Sequence, residues 1–289
     1  MHNTVDGFGY EIVTPLVAYL MACLGSALGL RCTTRSMLVT RSGRPWWLAL
    51  GSVAIGSGIW TMHFVAMTGF TVEDSPIRYD RATTFASLAV AIVMVGVGIF
   101  IVGYRGARGA ALFTGGAVTG LGIASMHYLG MAGMSLDGQV DYNTFTVALS
   151  VVIAMAASVA ALWAAGQLRG LRWSMGAGLV LGLGVTGTHY TGMAALRVHV
   201  HGGGEPGAGA PAEVLGPMLI GPLALLLLVA AVVMCDPLMV TGRPAQPRPE
   251  PRPGVPAHPA RTPRHQATRP QRHPHRPLAR RRPRLAQRR

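Results

Sequence analysis

The chain has 289 residues, half of them hydrophobic and only 12 % charged, where a soluble domain carries about 25 %. Its net charge of +14 is concentrated at one end: residues 242–289 hold 14 of the 25 basic residues and a single acid, Glu250. The basic balance therefore describes a tail and excludes a nucleic-acid-binding fold as its source, so no nucleic-acid partner is expected. The absence of any lysine excludes a retinal Schiff base.

Seven apolar stretches follow one another, near 12–31, 46–68, 84–104, 110–132, 144–166, 174–196 and 215–235. Each matches the roughly 20 residues that a helix needs to cross the hydrocarbon core. Runs this long without alternation are helices, not barrel strands. Residues 1–11 lack a basic region and a cleavage site, so the first stretch is expected to stay in the mature protein. The loop after it carries Arg31, Arg35, Arg41 and Arg44; the third loop carries Arg105 and Arg108, and the fifth Arg169 and Arg172. The second loop is mixed, with Glu73, Asp74, Arg78, Asp80 and Arg81. The fourth has only Asp137 and Asp141, and the sixth mixes Arg197 with Glu205 and Glu213. This alternation predicts an all-α membrane protein with seven transmembrane helices, N-terminus outside and C-terminus cytoplasmic. Residues 1–240 form the membrane domain. Residues 241–289, with Pro at 12 of the positions from 242 onward, are expected to be a disordered Arg/Pro-rich cytoplasmic tail facing membrane lipid. Cys23, Cys32 and Cys235 form no CxxC pair and are read as free thiols.

Residues 56–67, 120–131 and 182–193 align without gaps. Each copy has Gly seven and five residues before a His, an aromatic directly after it and a Met four residues after it. The histidines are His63, His127 and His189, separated by 64 and 62 residues. The repeat unit is thus a pair of helices, with the motif on the second, fourth and sixth spans. His63, His127 and His189 lie 17 residues beyond Trp46, Ala110 and Arg172. At the helical rise all three sit roughly 25 Å from the cytoplasmic starts, at one level near the outer edge. Positions i and i+4 share a face, so His63 projects with Met67, His127 with Met131 and His189 with Met193. The glycine seven residues earlier is expected on that same face. The small-xxx-small pairs Gly116/Gly120 and Gly178/Gly182 let backbones approach. An inner bundle of even-numbered helices shielded by odd-numbered ones follows.

Histidine inside a membrane is costly and marks a functional site. Imidazole binds copper, zinc, iron and nickel, while thioether selects Cu(I). Without carboxylate or Cys at that depth, the set points to copper over zinc, calcium or magnesium. The ligand candidates are His63, Met67, His127, Met131, His189 and Met193. Met62 and Met126 are secondary because they point off the His face on an ideal helix; Met134, His199 and His201 are weaker. One His-Met pair alone would be read as polar packing between helices. Phe64, Tyr128 and Tyr190 are expected at the interface as belt aromatics. Haem held by two of the histidines is the alternative cofactor, and copper or small-solute permeation the alternative function. Residues 182–187 match GxGxxG, but inside a membrane helix with no preceding strand they make no nucleotide loop. No catalytic triad, Walker loop or carboxylate pair is present, so no enzyme is expected.

These repeats resemble the MHYT domain of bacterial membrane proteins, named for the motif present here as Met126-His127-Tyr128. The resemblance covers about residues 1–240. It implies a sensory domain of the bacterial cell membrane that binds copper near the outer face and senses oxygen, carbon monoxide or nitric oxide. Residue by residue it implies the same six ligand candidates. Phe64 stands where the motif has Tyr, and Thr188 where it has Met. Family members often carry domains that make or hydrolyse cyclic dinucleotides. Here the Arg/Pro tail follows instead, so output through a separate cytoplasmic signalling partner is expected.

Overall fold

Hydrocarbon offers no hydrogen-bond partner to a backbone N–H or C=O, so a chain this apolar satisfies itself by winding into helices. The computed structural model describes residues 12–70, 77–136, 138–167, 171–200 and 211–236. The tail from 241 onward, the first eleven residues, and Glu73, Asp74, Asp137, Arg169, His201 and Glu205 lie outside the described residues. Among the described residues are seven long helices: α1 (Val13–Ser36), α2 (Arg44–Met67), α3 (Arg81–Arg105), α4 (Gly109–Ala132), α5 (Thr144–Gln167), α6 (Leu171–Ala194) and α7 (Pro211–Cys235). All but α6 are long and apolar enough by themselves to cross a membrane. The α6 sequence is diluted by glycine, threonine and His189. Thr188 returns its hydroxyl to the Gly184 carbonyl at 2.8 Å, so its polarity is spent inside the helix.

Three hairpins, α1–α2, α3–α4 and α5–α6, stand around a common axis, each also packed on the next. The ring closes where α6 meets α1. Helix α7 lies outside the ring against α2. The even helices touch one another at the axis, as the repeat suggested, yet their main partners are the odd helices wedged between them.

Glycine makes this wedging possible. A Cβ on Gly56 would meet the backbone of Ile92 on α3, one on Gly120 the backbone of Met155 on α5, and one on Gly182 the backbone of Cys23 on α1. Each is the glycine seven residues before a motif histidine, and each faces the next hairpin. The glycines five residues before the histidines serve the other seam: Gly58 lies on Gly25, Gly122 on Met94 and Gly184 on Ala157 within their own hairpins. The expectation that the earlier glycine shares the axial face with the imidazole is thus corrected. In a three-way junction one helix face borders both the axis and the neighbouring helix, and a residue with no side chain serves the neighbour. The tight turn between α3 and α4 uses Gly106 at φ 88° and Gly109 at φ 53°, values that favour glycine.

At the motif end the connections, expected to be loops, form two small antiparallel ribbons. Strand β1 (Arg78–Tyr79) pairs with β2 (Met134–Ser135), and β3 (Gly138–Tyr142) pairs with β4 (Leu196–Val200). They tie the exits of the hairpins together. Leu196–Val200 alternates apolar and polar, a strand pattern too short to register beside 24-residue helices. At the opposite end, α1 runs to Ser36, past the first arginine where the sequence places its end. Arg35 in its last turn pairs with Asp236 at 2.8 Å, just after α7, and its guanidinium lies 5.4 Å over the Trp47 ring. This ion pair joins the C-terminal ends of α1 and α7.

Asp80 caps α3 by accepting the Thr83 amide at 2.8 Å. Hydrogen bonds from the Thr83 side chain and amide hold its carboxyl below the usual carboxylate range. A depressed value means that the cap contributes stability above the unfolded-state pKa and loses it as pH falls through the folded-state one. Asp80→Ala should therefore lower the melting temperature of the solubilised protein at neutral pH. The gap should close in acid, which thermal melts across pH would record.

Candidate metal centre

Each motif helix delivers its histidine four or five residues before its own C-terminal end, and the approximate threefold arrangement brings the three rings to the axis. All are buried: His63 is 1 % exposed, and His127 and His189 are 2 % exposed. Ring centroids lie 5.0, 5.0 and 5.2 Å apart with planes within about 11° of perpendicular, so the imidazoles form a pinwheel. The Nδ1 atoms point inward. His63 Nδ1 is 3.0 Å from His189 Nδ1 and 3.1 Å from His127 Nδ1. Among the described residues these three form the one cluster able to offer a metal ion three side-chain ligands of the His, Cys or carboxylate type.

The Nε2 edges point outward and none finds a hydrogen-bond partner. They are seated on small residues. A Cβ on Gly130 would fall 2.7 Å from His63 Nε2, and one on Gly192 would press against His127 Nε2. Ala66 occupies the equivalent place in the first copy. The residue three after each histidine is thus small in all three copies. Sequence reading passed over this signal, although it was present in the aligned segments. By backing the His63 and His127 rings against the next motif helix, Gly130 and Gly192 leave Nδ1 turned to the centre.

The methionines divide between the two sides of the triad. Met67, Met131 and Met193 are buried at the ribbon side, one turn beyond the imidazoles. Met62 and Met126, expected to point away, line a narrow void with the three imidazoles, Thr188, Ile123 and Val185. The void leaves no room for a water molecule. Its walls include Ile123 and Val185, four residues before their histidines and buried, as is Ile59 at the same position of the first copy. Met134 lies in β2 further out, and of His199 only the backbone in β4 is described.

The motif aromatics are not all belt residues. Phe64 is fully buried, packed at 4.5 Å on Trp60 and edge-on to His63 at 4.6 Å. Tyr128 and Tyr190 are half-buried and lie edge-on to His127 and His189 at 4.8 and 5.0 Å. Tyr128 also hydrogen-bonds Ser150 of α5 at 2.7 Å. The aromatic directly after each histidine braces the ring that precedes it. An interface position explains neither that contact nor the burial of Phe64.

The donor set suits a single soft or borderline ion. Three neutral imidazoles bound to one ion at about 2.0 Å would hold their nitrogens about 3.5 Å apart, a few tenths wider than here. Among the described residues no carboxylate joins the cluster, and thioethers stand on both sides. All three cysteines are free, Cys23 and Cys32 buried and Cys235 exposed.

Comparison with known proteins agrees with this architecture. The model for the N-terminal repeat of bacterial signalling proteins matches residues 56–115 and 120–178. The chain is 37 % identical over 193 residues to the bifunctional diguanylate cyclase/cyclic di-GMP phosphodiesterase MucR of Pseudomonas aeruginosa, covering 65 % of this chain and 28 % of that protein. It is 31 % identical over 197 residues to the signaling protein YkoW of Bacillus subtilis, covering 66 % and 24 %. It is 35 % identical over 213 residues to the cyclic di-GMP phosphodiesterase NbdA of Pseudomonas aeruginosa, covering 70 % and 27 %. The matched region spans about a quarter of the length of these relatives. No solved structure matches the chain.

Proposed function

The chain belongs to the MHYT family of bacterial signalling proteins and is a multi-pass membrane protein, and from that premise we propose that it is a seven-span sensor holding one copper ion between His63, His127 and His189. The observation that carries the reading is the convergence of three buried Nδ1 atoms, one from each hairpin, at 3.0 and 3.1 Å. Three lone pairs aimed at one point repel one another unless protons or a cation lie between them. The ribbon end faces outside, and thioethers come from Met67, Met131 and Met193 on that side and from Met62 and Met126 on the inner side. Copper, when bound, supplies a centre that changes oxidation state or takes up oxygen, carbon monoxide or nitric oxide.

The rest is the work of the protein. Because each imidazole belongs to a different hairpin, a change in the spacing of the triad is a change in the spacing of α2, α4 and α6. Those helices carry it to the opposite end, where Arg35 and Asp236 join α1 to the end of α7. The domain itself is non-catalytic and passes its state to a cytoplasmic signalling partner. Turnover of cyclic di-GMP, the activity in the names of two relatives, is the candidate output.

Two features favour this reading over its rivals. Rings in direct contact leave no slot for a haem macrocycle between two axial histidines. The packed layer of Ile59, Ile123 and Val185 below the triad supports a sensor over a permeation path, which needs several weak sites in series. A second reading has its own support: 3.0 and 3.1 Å are also N–H···N hydrogen-bond distances, so a metal-free, self-paired triad is a purely structural alternative.

Metal analysis separates the two. The purified protein reconstituted with Cu(I) should hold about one copper per chain. Copper no higher than in a His127→Ala variant would remove the sensor reading and leave the structural one. Met62→Leu/Met126→Leu should weaken Cu(I) retention with little effect on Cu(II), because Leu preserves volume while the thioether is lost. The matching Met67→Leu/Met131→Leu/Met193→Leu variant, titrated alongside, reports how much the outer side contributes.

A further inference from the structure

The three hairpins are equivalent in sequence, yet the corners between them are not filled alike. Where α2 ends and α3 begins, Phe64, Phe70 and Tyr79 close the space, at 0, 3 and 8 % exposed. The same positions where α4 ends and α5 begins are Tyr128, Met134 and Tyr142. The register is secured by the caps: Asp80 accepts the Thr83 amide at the start of α3, and Asn143 accepts the Thr146 amide at the start of α5. In this second corner Met134 replaces the phenyl ring and Tyr142 is turned out, 39 % exposed. The result is a pocket of about 530 Å³ bounded by Tyr128, Met131, Ala132, Met134, Tyr142 and Thr144.

We propose that this pocket at the α4–α5 corner is a binding site for a small, neutral, aromatic molecule, adjoining the metal centre and sharing Met131 with it. Its volume lies within the range of about 300–1,000 Å³ usual for small-molecule sites. None of the described side chains that line it is charged, which disfavours ions. Tyr128 and Tyr142 stand edge-to-face with centroids 6.0 Å apart at 80°, so one offers a π-face and the other an edge to a third ring. Met131 and Met134 supply thioethers, which pack well against ring edges. The hydroxyls of Tyr142 and Thr144 give a hydroxyl or carbonyl on the ligand a partner. The occupant lies one side chain from the triad, because Tyr128 rests edge-on against His127 at 4.8 Å. The site does not depend on a bound metal, so its test stands whether or not copper is present.

The test uses the full chain in lipid nanodiscs, labelled with 13C-methyl methionine and titrated with 2-naphthol, a neutral two-ring probe. The Met131 and Met134 methyl signals should shift saturably, while those of Met62 and Met126, across the triad, stay nearly in place. Ala132→Trp, which fills the pocket from its exposed side, should weaken the apparent affinity about tenfold or more. Unchanged Met62 and Met126 signals in that variant show that the bundle is intact; disturbed ones move the comparison to Thr144→Trp. Non-saturable shifts of all methionines alike, which report partition into lipid only, would overturn the proposal. So would no shift at Met131 and Met134, or an affinity that the filled pocket leaves unaltered.

Discussion

Alanine at any one of His63, His127 or His189 should abolish high-affinity copper binding in a single step, with the protein still inserted. The reason is geometric. The three Nδ1 atoms share one centre, so no pair retains the set that holds the ion. Binding by three cooperating ligands falls by far more than a third when one is lost. Copper titration of the three variants beside the parent checks this. Losses of one third in each would mean three independent sites and would refute the shared centre. A purely structural triad gives another pattern: no copper in the parent, and a lower melting temperature in each variant because the remaining buried imidazoles lose their partners. Gly192→Ala offers a further comparison. It keeps every ligand but presses a methyl on His127 Nε2, so copper affinity should drop while copper remains detectable.

The second large effect concerns the scaffold. Gly120→Ala should disrupt the seam between α4 and α5, because the new Cβ would lie 2.8 Å from the carbonyl carbon of Ala154 and closer still to the backbone of Met155. Backbone cannot rotate away as a side chain can, so the two hairpins must separate. A cost of about 3 kcal/mol or more is expected, the upper end for overpacking. Gly176→Ala on α6 is the control. Nothing lies within 4 Å of its Cβ position, so alanine there should be neutral or stabilise by about 0.5–1 kcal/mol. Thermal melts in detergent decide it, and equal behaviour of the two variants would contradict the packing described.

Much of this was legible in the chain before any coordinates. The helix pairs, the three histidines at one level and their meeting at the axis follow from a gapless repeat and a constant helical rise, since identical registers place identical residues at identical depths. Less legible was anything set by the neighbour and not by the residue's own helix. The glycine seven residues before each histidine shares the histidine's face by periodicity, but whether that face meets the axis or the next hairpin depends on how tightly the hairpins wedge. Met62 and Met126 rank only as secondary ligand candidates in the sequence because an ideal isolated helix turns them off the histidine face. In the ring, the convergence of three helices lets a residue adjacent in sequence reach the same void. Phe64 looked like a belt aromatic by its position near a helix end, yet Trp60 and Tyr79 enclose it. The ribbons were missed because two to five residues of strand, paired across distant loops, leave little local pattern. The small residue after each histidine was visible all along, and only the ring seated on it gave it meaning.

The closure of the ring by α1 and α6 also has a meaning in time. His63 leaves the ribosome 126 residues ahead of His189, an interval of about 6–25 s at synthesis rates of about 5–20 residues per second. During that interval the second hairpin is made and joins the first, while the third imidazole does not yet exist at the axis. A chain halted before α6 would present two imidazoles and an open side where α6 should sit against α1. The triad is therefore complete only once α6 is in place against α1, and nothing can be held between three imidazoles before the third hairpin has been inserted.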